Sequence, residues 1–278
     1  MQVIYFTKFL AGKTAEEVGE TAKSLGFDGL DLAVRPGQCV NPENVATALP
    51  EAVRLWRKMG LAVPLASLET KQTDPRAPQT RQIYEACAEA GVSFIKIGYW
   101  TWRPGKDYRA GLEAARQDLA EFDRLSRATG VCTLYHTHSG NYYGCNASAA
   151  MRLVRRGDPK GVGVYLDPAH LAINGEPLEM ALAIVGDRLR FVAVKNARYT
   201  LTHQNGASRF VRDMVPLDMG IVHWPDAIAL LRKIGYSGPL SLHGEYDSAE
   251  ELEAILPLVR EDLSLIRRCL GAQAQGAV

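Results

Sequence analysis

The chain has 278 residues, 47% of them hydrophobic and 23% charged, with a formal net charge of +1. This is the composition of a globular protein long enough for one large domain or two smaller ones. The near-neutral charge gives no basic field for a nucleic-acid partner. No apolar run reaches the roughly 20 residues of a membrane span, so no membrane partner is expected. Five scattered cysteines (Cys39, Cys87, Cys132, Cys145, Cys269) with no Cys-x-x-Cys read as free thiols in a reducing compartment. The start, Met1 to Phe6, lacks the basic and long apolar regions of a signal peptide, so a cytoplasmic location is expected. The sequon Asn146-Ala-Ser148 is read as a chance occurrence.

Strand-like and helix-like stretches alternate along the whole chain. Val3 to Phe6 is the first apolar run, and Thr14 with Glu17 forms a capping-box pattern that opens a helix. Gly26 ends it and Gly29 to Ala33 is the second strand. A helix through Val53, Leu55 and Trp56 stops at Gly60, and Leu61 to Leu68 is the third strand. A helix from Gln79 to Ala90 exits at Gly91, and Ser93 to Gly98 is the fourth strand. Leu112, Ala115, Leu119, Phe122 and Leu125 give the next helix one buried face. Val131 to Tyr135 and Gly161 to Leu166 are the fifth and sixth strands, separated by a helix from about Ser148. After a helix around Glu179 to Val185, Leu189 to Val194 is the seventh strand. The stretch from Asn196 to about His223 reads as a long loop, and loops of that length are usually functional or disordered. A helix from Pro225 to Lys233, a strand at Pro239 to Leu242 and an amphipathic helix from Leu252 complete the pattern. The small, polar end from Gly271 reads as a frayed tail.

Eight apolar strands, each followed by a helix, imply a parallel sheet covered by helices. A single (β/α)8 TIM barrel over residues 1–270 fits this count, with no linker dividing it. The alternative, an open doubly wound sheet, would carry a glycine-rich phosphate turn after its first strand. Thr7-Lys-Phe-Leu-Ala-Gly-Lys13 is not that turn.

In such a barrel chemistry sits at the C-terminal strand ends. The fifth strand delivers His136 and His138, the sixth Asp167 and His170, the seventh Lys195, Asn196 and Arg198, and the eighth His243 and Glu245. His136 and His138 share a strand parity, as do His243 and Glu245, so each pair can face the axis. Imidazoles with carboxylates suit Mn, Zn, Co or Fe better than Ca. The expected ligand set is His136, Asp167 and His243, with Glu245 as a fourth ligand or a base. The other reading has no metal, and Lys195 then supplies the positive charge. Trp100, Trp102 and Tyr142 on the rim loops suit the apolar face of a sugar ring or a subunit contact, and Arg198 suits an anionic or hydroxylated group.

Several motifs, taken in order, resemble the xylose isomerase-like TIM barrels. They are Gly26-Phe-Asp-Gly-Leu-Asp-Leu32, Tyr135-His-Thr-His138, Leu166-Asp-Pro-Ala-His170, Val215-Pro-Leu-Asp-Met-Gly220 and Gly235-Tyr-Ser-Gly-Pro-Leu-Ser-Leu-His243. The resemblance implies a divalent metal held by Glu, Asp, His and Glu from the last four strands. Those positions are His136, Asp167, Ala193 and His243 here, so only the aspartate is retained as such. The family's common chemistry is proton abstraction next to a carbonyl. It implies a small carbohydrate as partner and a sugar or keto-sugar isomerase or epimerase, with Glu245 as base, His138 or His170 as the opposite acid, and a metal or Lys195 as electrophile. A keto-sugar lyase or dehydratase shares the first step. A non-catalytic sugar-binding barrel and a zinc-dependent DNA-repair nuclease are the other classes weighed, and Ala193 and the near-neutral charge speak against the nuclease. A homo-oligomer is compatible with all of these.

Overall fold

A computed structural model describes residues 1–271, and the predicted frayed tail lies outside them from residue 272 onward. Eight parallel strands close into a barrel. They are β1 (Val3–Phe6), β2 (Gly29–Val34), β3 (Ala62–Leu68), β4 (Phe94–Lys96), β5 (Cys132–His136), β6 (Val162–Leu166), β7 (Leu189–Val194) and β10 (Leu240–Leu242). Each strand pairs with its neighbours in chain order, and β10 closes against β1. The (β/α)8 barrel predicted from the alternation of strands and helices is therefore the fold observed.

The helices stand where glycine and cap residues put them. α1 (Ala15–Leu25) starts at the Thr14/Glu17 capping box and ends at Gly26, whose φ of 94° is left-handed. α2 (Val45–Lys58), α3 (Pro78–Ala90), α4 (Tyr108–Thr129), α5 (Ala147–Val154), α7 (Leu178–Val185), α8 (Trp224–Lys233) and α9 (Leu252–Gly271) cover the outside of the sheet. A short helix not foreseen in the sequence, α6 (Pro168–Ile173), opens directly after Asp167. No helix among the described residues is long and apolar enough to cross a membrane. All five cysteines are free thiols.

The period-2 alternation of the strands divides two cores. Residues facing the helices form the larger one. Inside the barrel, Ile4, Leu65, Cys132, Leu134, Tyr165, Phe191 and Ala193 form a second, with Phe94 packed against it. This plug is apolar toward the N-terminal ends of the strands. Above it, the same inward parity carries polar groups: Asp31, Ser67, Lys96, His136, Asp167, Lys195, Ser241 and His243 are all buried. An apolar floor beneath a polar layer is what leaves a site at the top of a barrel that is otherwise filled with side chains.

The stretch after β7 is not a loop. β8 (Asn196–Gln204) and β9 (Ala207–Val215) form an antiparallel hairpin that rises from the rim. Its turn is Asn205-Gly206, with φ of 51° and 76°, the asparagine-glycine pair that two-residue hairpin turns favour. The base of the hairpin is held by Asn196, fully buried. Its Nδ2 donates to the carbonyls of Leu217 and Val222, and its Oδ1 accepts from the amides of Ala197 and Val222. Gly220 is needed beside it, because a Cβ there would lie 2.1 Å from the Asn196 side chain. The Val215–Gly220 motif is thus a close-packed connection between hairpin and barrel. Asn196→Ala removes four hydrogen bonds and leaves buried carbonyls and amides without partners. At about 1–3 kcal/mol for such a group, it should lower the unfolding free energy by about 2–4 kcal/mol in a denaturant titration.

Candidate active site at the C-terminal rim

Asp167 is fixed by the chain on both sides. Its amide donates to Thr137 Oγ1, and its Oδ1 accepts from the His170 amide at 3.1 Å, capping α6 ahead of Pro168. One carboxylate oxygen is thereby spent on the helix, and the other, Oδ2, is aimed into the site. Around Oδ2 stand Lys195 Nζ at 3.2 Å, His136 Nε2 at 3.3 Å and His170 Nε2 at 3.7 Å. Lys195 also donates to Glu245 Oε2 at 2.9 Å, and Glu245 Oε1 accepts from Lys8 at 3.1 Å. The Lys195 side chain is 4% exposed, Asp167 is wholly buried and Glu245 is 20% exposed. A buried ammonium persists only with compensation of this kind.

The charges follow from that arrangement. Burial opposes the charge on Lys195, but the two carboxylates outweigh it and hold its pKa above the usual value. Burial likewise opposes the charge on Asp167 and Glu245, and Lys195 leads the groups that bring both below the usual carboxylate range. The four imidazoles go the other way. Burial first, then the Lys195 charge, pushes His136, His170 and His243 well below the usual value and His138 to about 4. All four are neutral at neutral pH.

Hydrogen bonds settle which nitrogen of His138 is free. Its Nδ1 lies 2.8 Å from the Ser139 carbonyl, which can only accept, so Nδ1 carries the proton and Nε2 a bare lone pair. His170 Nδ1 bonds Ser139 Oγ at 2.8 Å, and the two imidazole rings lie 3.8 Å apart. His136 Nδ1 bonds the Tyr99 hydroxyl at 2.6 Å. Beneath them Asp31, fully buried, accepts from Ser67, Tyr165 and Ser241, and Tyr165 in turn meets His243 Nε2 at 2.8 Å. Because Tyr165 gives its one proton to Asp31, its oxygen accepts from His243 Nε2–H.

These side chains line a small cavity of about 100 Å³ that opens to solvent at the rim. Its walls include His136, His138, Tyr165, Lys195, His243 and Glu245 from the sequence reading or next to it. They also include Phe6, Lys8, Arg35, Ser67, Lys96 and Tyr99, which that reading did not single out. His170 lines the adjoining opening, together with His138 and Glu245. The remaining predicted residues lie elsewhere. Trp100 stacks on Tyr135 with ring centroids 5.8 Å apart, and the Trp102 indole donates to the Lys106 carbonyl. Tyr142 packs against Tyr99 and His138. Arg198 sits on β8 facing Asp213 across the hairpin at 3.6 Å, because β7 ends before it and the chain turns up into the hairpin.

A sequence profile described as the xylose isomerase-like TIM barrel matches residues 20–269. The chain belongs to this family. Inosose dehydratases of Mesomycoplasma hyopneumoniae are 27% identical over 143 residues, 49% of this chain and 47% of theirs. The chain thus spans about half the length of the curated relatives it matches. Among solved structures, the 3-keto-D-glucoside 4-epimerase of E. coli superposes with a TM-score of 0.74 at 18% identity, over 97% of this chain and 100% of that one. The D-psicose 3-epimerase of Clostridium cellulolyticum H10, solved with D-tagatose, superposes at 0.72 and 15% identity, over 97% and 99%. A family member from Mycobacterium smegmatis, solved with magnesium, superposes at 0.69 and 16% identity, over 97% of each chain.

The expected metal set of His136, Asp167, His243 and Glu245 does not fit a divalent ion in this arrangement. Among the described residues no group of three or more His, Cys, Asp or Glu side chains is disposed to hold one. Lys195 is the physical reason. Its ammonium already takes an oxygen of both acidic members of the set. A metal at about 2 Å from those oxygens would be pressed against a like charge. His243 is further tied through Nε2 to Tyr165. Ala193, at the family's histidine position, is packed with Phe191 and Tyr165 in the apolar plug.

Two stability measurements check this electrostatic account. Lys195→Met leaves Asp167 uncompensated and should cost about 3–5 kcal/mol, the usual penalty for breaking one side of a buried pair, read from chemical denaturation. The four neutral imidazoles bind protons more readily once unfolded, so the stability they confer is present above pH 6.5, the ordinary histidine value, and is lost as pH falls toward about 4. The Tm should therefore drop steadily between pH 7 and pH 5, and drop less in His138→Gln.

Proposed function

We propose that this protein is an isomerase or epimerase of a small keto-sugar or related ketone, working by proton abstraction next to the carbonyl. The observation that carries the reading is the Lys195 ammonium, fixed between Asp167 and Glu245 in the cavity wall beside a histidine with a bare nitrogen. The family to which the chain belongs, and the barrel it shares with solved keto-sugar epimerases, support it.

In this reading Lys195 faces the substrate carbonyl oxygen. His138 Nε2 removes a proton from the adjacent carbon, and the C–H electron pair becomes the carbon–carbon double bond of an enediolate. The negative charge that gathers on oxygen is met by Lys195, whose position is set before the reaction starts. Asp167 then favours the imidazolium formed on His138. Protonation of the former carbonyl carbon by the His138 imidazolium, with the hydroxyl proton of its neighbour passing to the former carbonyl oxygen, completes an isomerisation. Epimerisation requires a second donor to protonate the original carbon from the opposite face while His138 keeps the proton it removed.

Glu245, the base expected from the sequence, takes a different part. Two lysines bond its two oxygens, and its carboxyl is held well below the usual range. A carboxylate so stabilised is a poorer base than a neutral imidazole with a pKa of about 4. Its role here is to hold Lys195. Phe6 and Tyr99 supply the apolar wall on which the substrate carbon skeleton lies, with Tyr142 packed behind Tyr99. Dehydration is the second reading, favoured by the match to inosose dehydratases. It begins with the same proton abstraction and ends with loss of a hydroxyl from the next carbon.

The test is exchange in D2O across a panel of ketoses, keto-glycosides and inososes, followed by mass spectrometry and NMR. Deuterium in a rearranged or epimerised sugar supports the first reading, and loss of water with deuterium in the product supports the second. No C–H exchange in any substrate overturns both. His138→Gln should slow exchange about 10²–10⁴-fold, the usual worth of a general base. Lys195→Met should slow it about 10²–10³-fold, as for an oxyanion donor. Exchange should survive EDTA unchanged, and should stay level from pH 8 to pH 5 before falling near pH 4, where His138 gains its proton.

A further inference from the structure

Four cationic side chains line the cavity, and they are not equivalent. Lys8 and Lys195 are bound to Glu245, and Lys195 to Asp167 as well. Arg35 and Lys96 have no carboxylate partner among the described residues: no carboxylate oxygen lies within 4.0 Å of either. Each instead donates to the same backbone carbonyl, Leu68 O, at 3.3 Å from Arg35 and 3.4 Å from Lys96. Two nitrogen donors thus converge on one neutral acceptor, and burial, with the Arg35 charge beside it, holds the Lys96 pKa well below its usual value. Lys96 is 4% exposed, and Arg35 Nε is buried with no hydrogen-bond partner. The acid nearest in the barrel, Asp31, has its oxygens taken by Ser67, Tyr165 and Ser241.

Aromatic rings hold the pair in place. The Lys96 ammonium lies 4.2 Å from the centre of the Tyr99 ring, and the Arg35 guanidinium 5.1 Å from that of Phe6. These contacts fix the cations without consuming their N–H donors. A half-buried guanidinium with a buried, unused N–H and a buried amine whose charge is disfavoured beside it both gain from an anion on this wall, which would pair with Arg35 and favour the ammonium form of Lys96.

We propose that Arg35 and Lys96 form a subsite for a carboxylate or phosphate group, and that the substrate of the reaction proposed above is an anionic ketone: a keto acid or a phosphorylated keto-sugar. This rests on that reading for the word substrate, and not for the anion site itself. The carbonyl end of the ligand meets Lys195, and the anionic end meets Arg35 and Lys96 across the same cavity. A neutral sugar would leave the pair uncompensated.

Equilibrium binding tests the site without any C–H cleavage. Pyruvate, inorganic phosphate and the neutral ketone dihydroxyacetone are titrated into the full chain at constant ionic strength, by calorimetry and by thermal shift. The expected result is millimolar or tighter binding of pyruvate, phosphate or both, with a raised Tm, and none for dihydroxyacetone. Arg35→Gln and Lys96→Gln should each weaken it about tenfold or more, the loss of one charge-assisted hydrogen bond. Lys8→Gln, which removes a cation already paired with Glu245, should leave it within about twofold. Removing an uncompensated buried charge should not unfold either variant, and its own Tm checks this. Pyruvate alone points to a keto acid, phosphate alone to a phosphorylated sugar. Absence of anion binding, or binding equal in Arg35→Gln, Lys96→Gln and Lys8→Gln, overturns the proposal. Anion binding without any exchange in D2O would leave this site standing and remove the reaction.

Discussion

One buried ammonium organises the rim. Lys195 lies 4% exposed at the end of β7, where a lone charge would be untenable. It is kept by Asp167 on one side and Glu245 on the other, and both carboxylates are kept by it. Removing any one of the three strands the others. The rest of the site can be derived from that dependency. Asp167 must present an oxygen inward, so its other oxygen is anchored on α6. The imidazoles around it stay neutral, because burial and a fixed positive charge both oppose a second one. Neutral imidazoles beside a fixed cation are suited to accept a proton while the cation meets the charge left behind.

The floor of the site extends the same logic downward. Asp31 and Asp167 are both wholly buried, yet their acidities move in opposite directions. Burial dominates at Asp31, which has only hydroxyl donors within bonding distance, and raises its pKa. Burial also acts on Asp167, but the ammonium in contact with it wins. Two carboxyl groups pushed apart by their surroundings commonly have different tasks. Asp31 ties four strands together through Ser67, Tyr165 and Ser241, and through Tyr165 it sets the tautomer of His243. Asp167 instead turns its free oxygen toward Lys195, His136 and His170.

Much of this was legible in the chain. Strand ends could be placed because β5, β6 and β7 carry apolar runs up to the first polar rim residue, and strand parity let the pairs His136/His138 and His243/Glu245 face the axis. The hairpin was missed although Asn205-Gly206 is a strong turn signal. Ala197, Tyr199 and Leu201 alternate with Arg198, Thr200 and Thr202 ahead of that turn, but the run is short and the second strand breaks the alternation at Phe210-Val211. Lys96 was missed for a different reason. It ends a three-residue strand, and a single lysine there looks the same whether it turns outward or inward. The contact between Lys8 and Glu245 was not legible. It spans 237 residues, and only barrel closure between β1 and β10 brings the two together.

Charge balance then separates the two halves of the cavity. On the β7–β10 side, Asp167 and Glu245 face Lys195 and Lys8, so two negative charges meet two positive ones and the set is neutral without any added ion. On the β2–β4 side, among the described residues, Arg35 has no counterion, and the Lys96 amine beside it is held well below its usual pKa by burial and by that charge. A divalent metal would add charge to the half that is already balanced and do nothing for the other. An anionic ligand does the reverse. It leaves the Lys195 cluster intact for the developing oxyanion and supplies the negative charge that the opposite wall lacks. The same surplus would draw such a ligand in carbonyl first or anion first with unequal energy, because only one wall can compensate a full negative charge before the reaction begins. Orientation of the substrate thus follows from which lysine already has a partner.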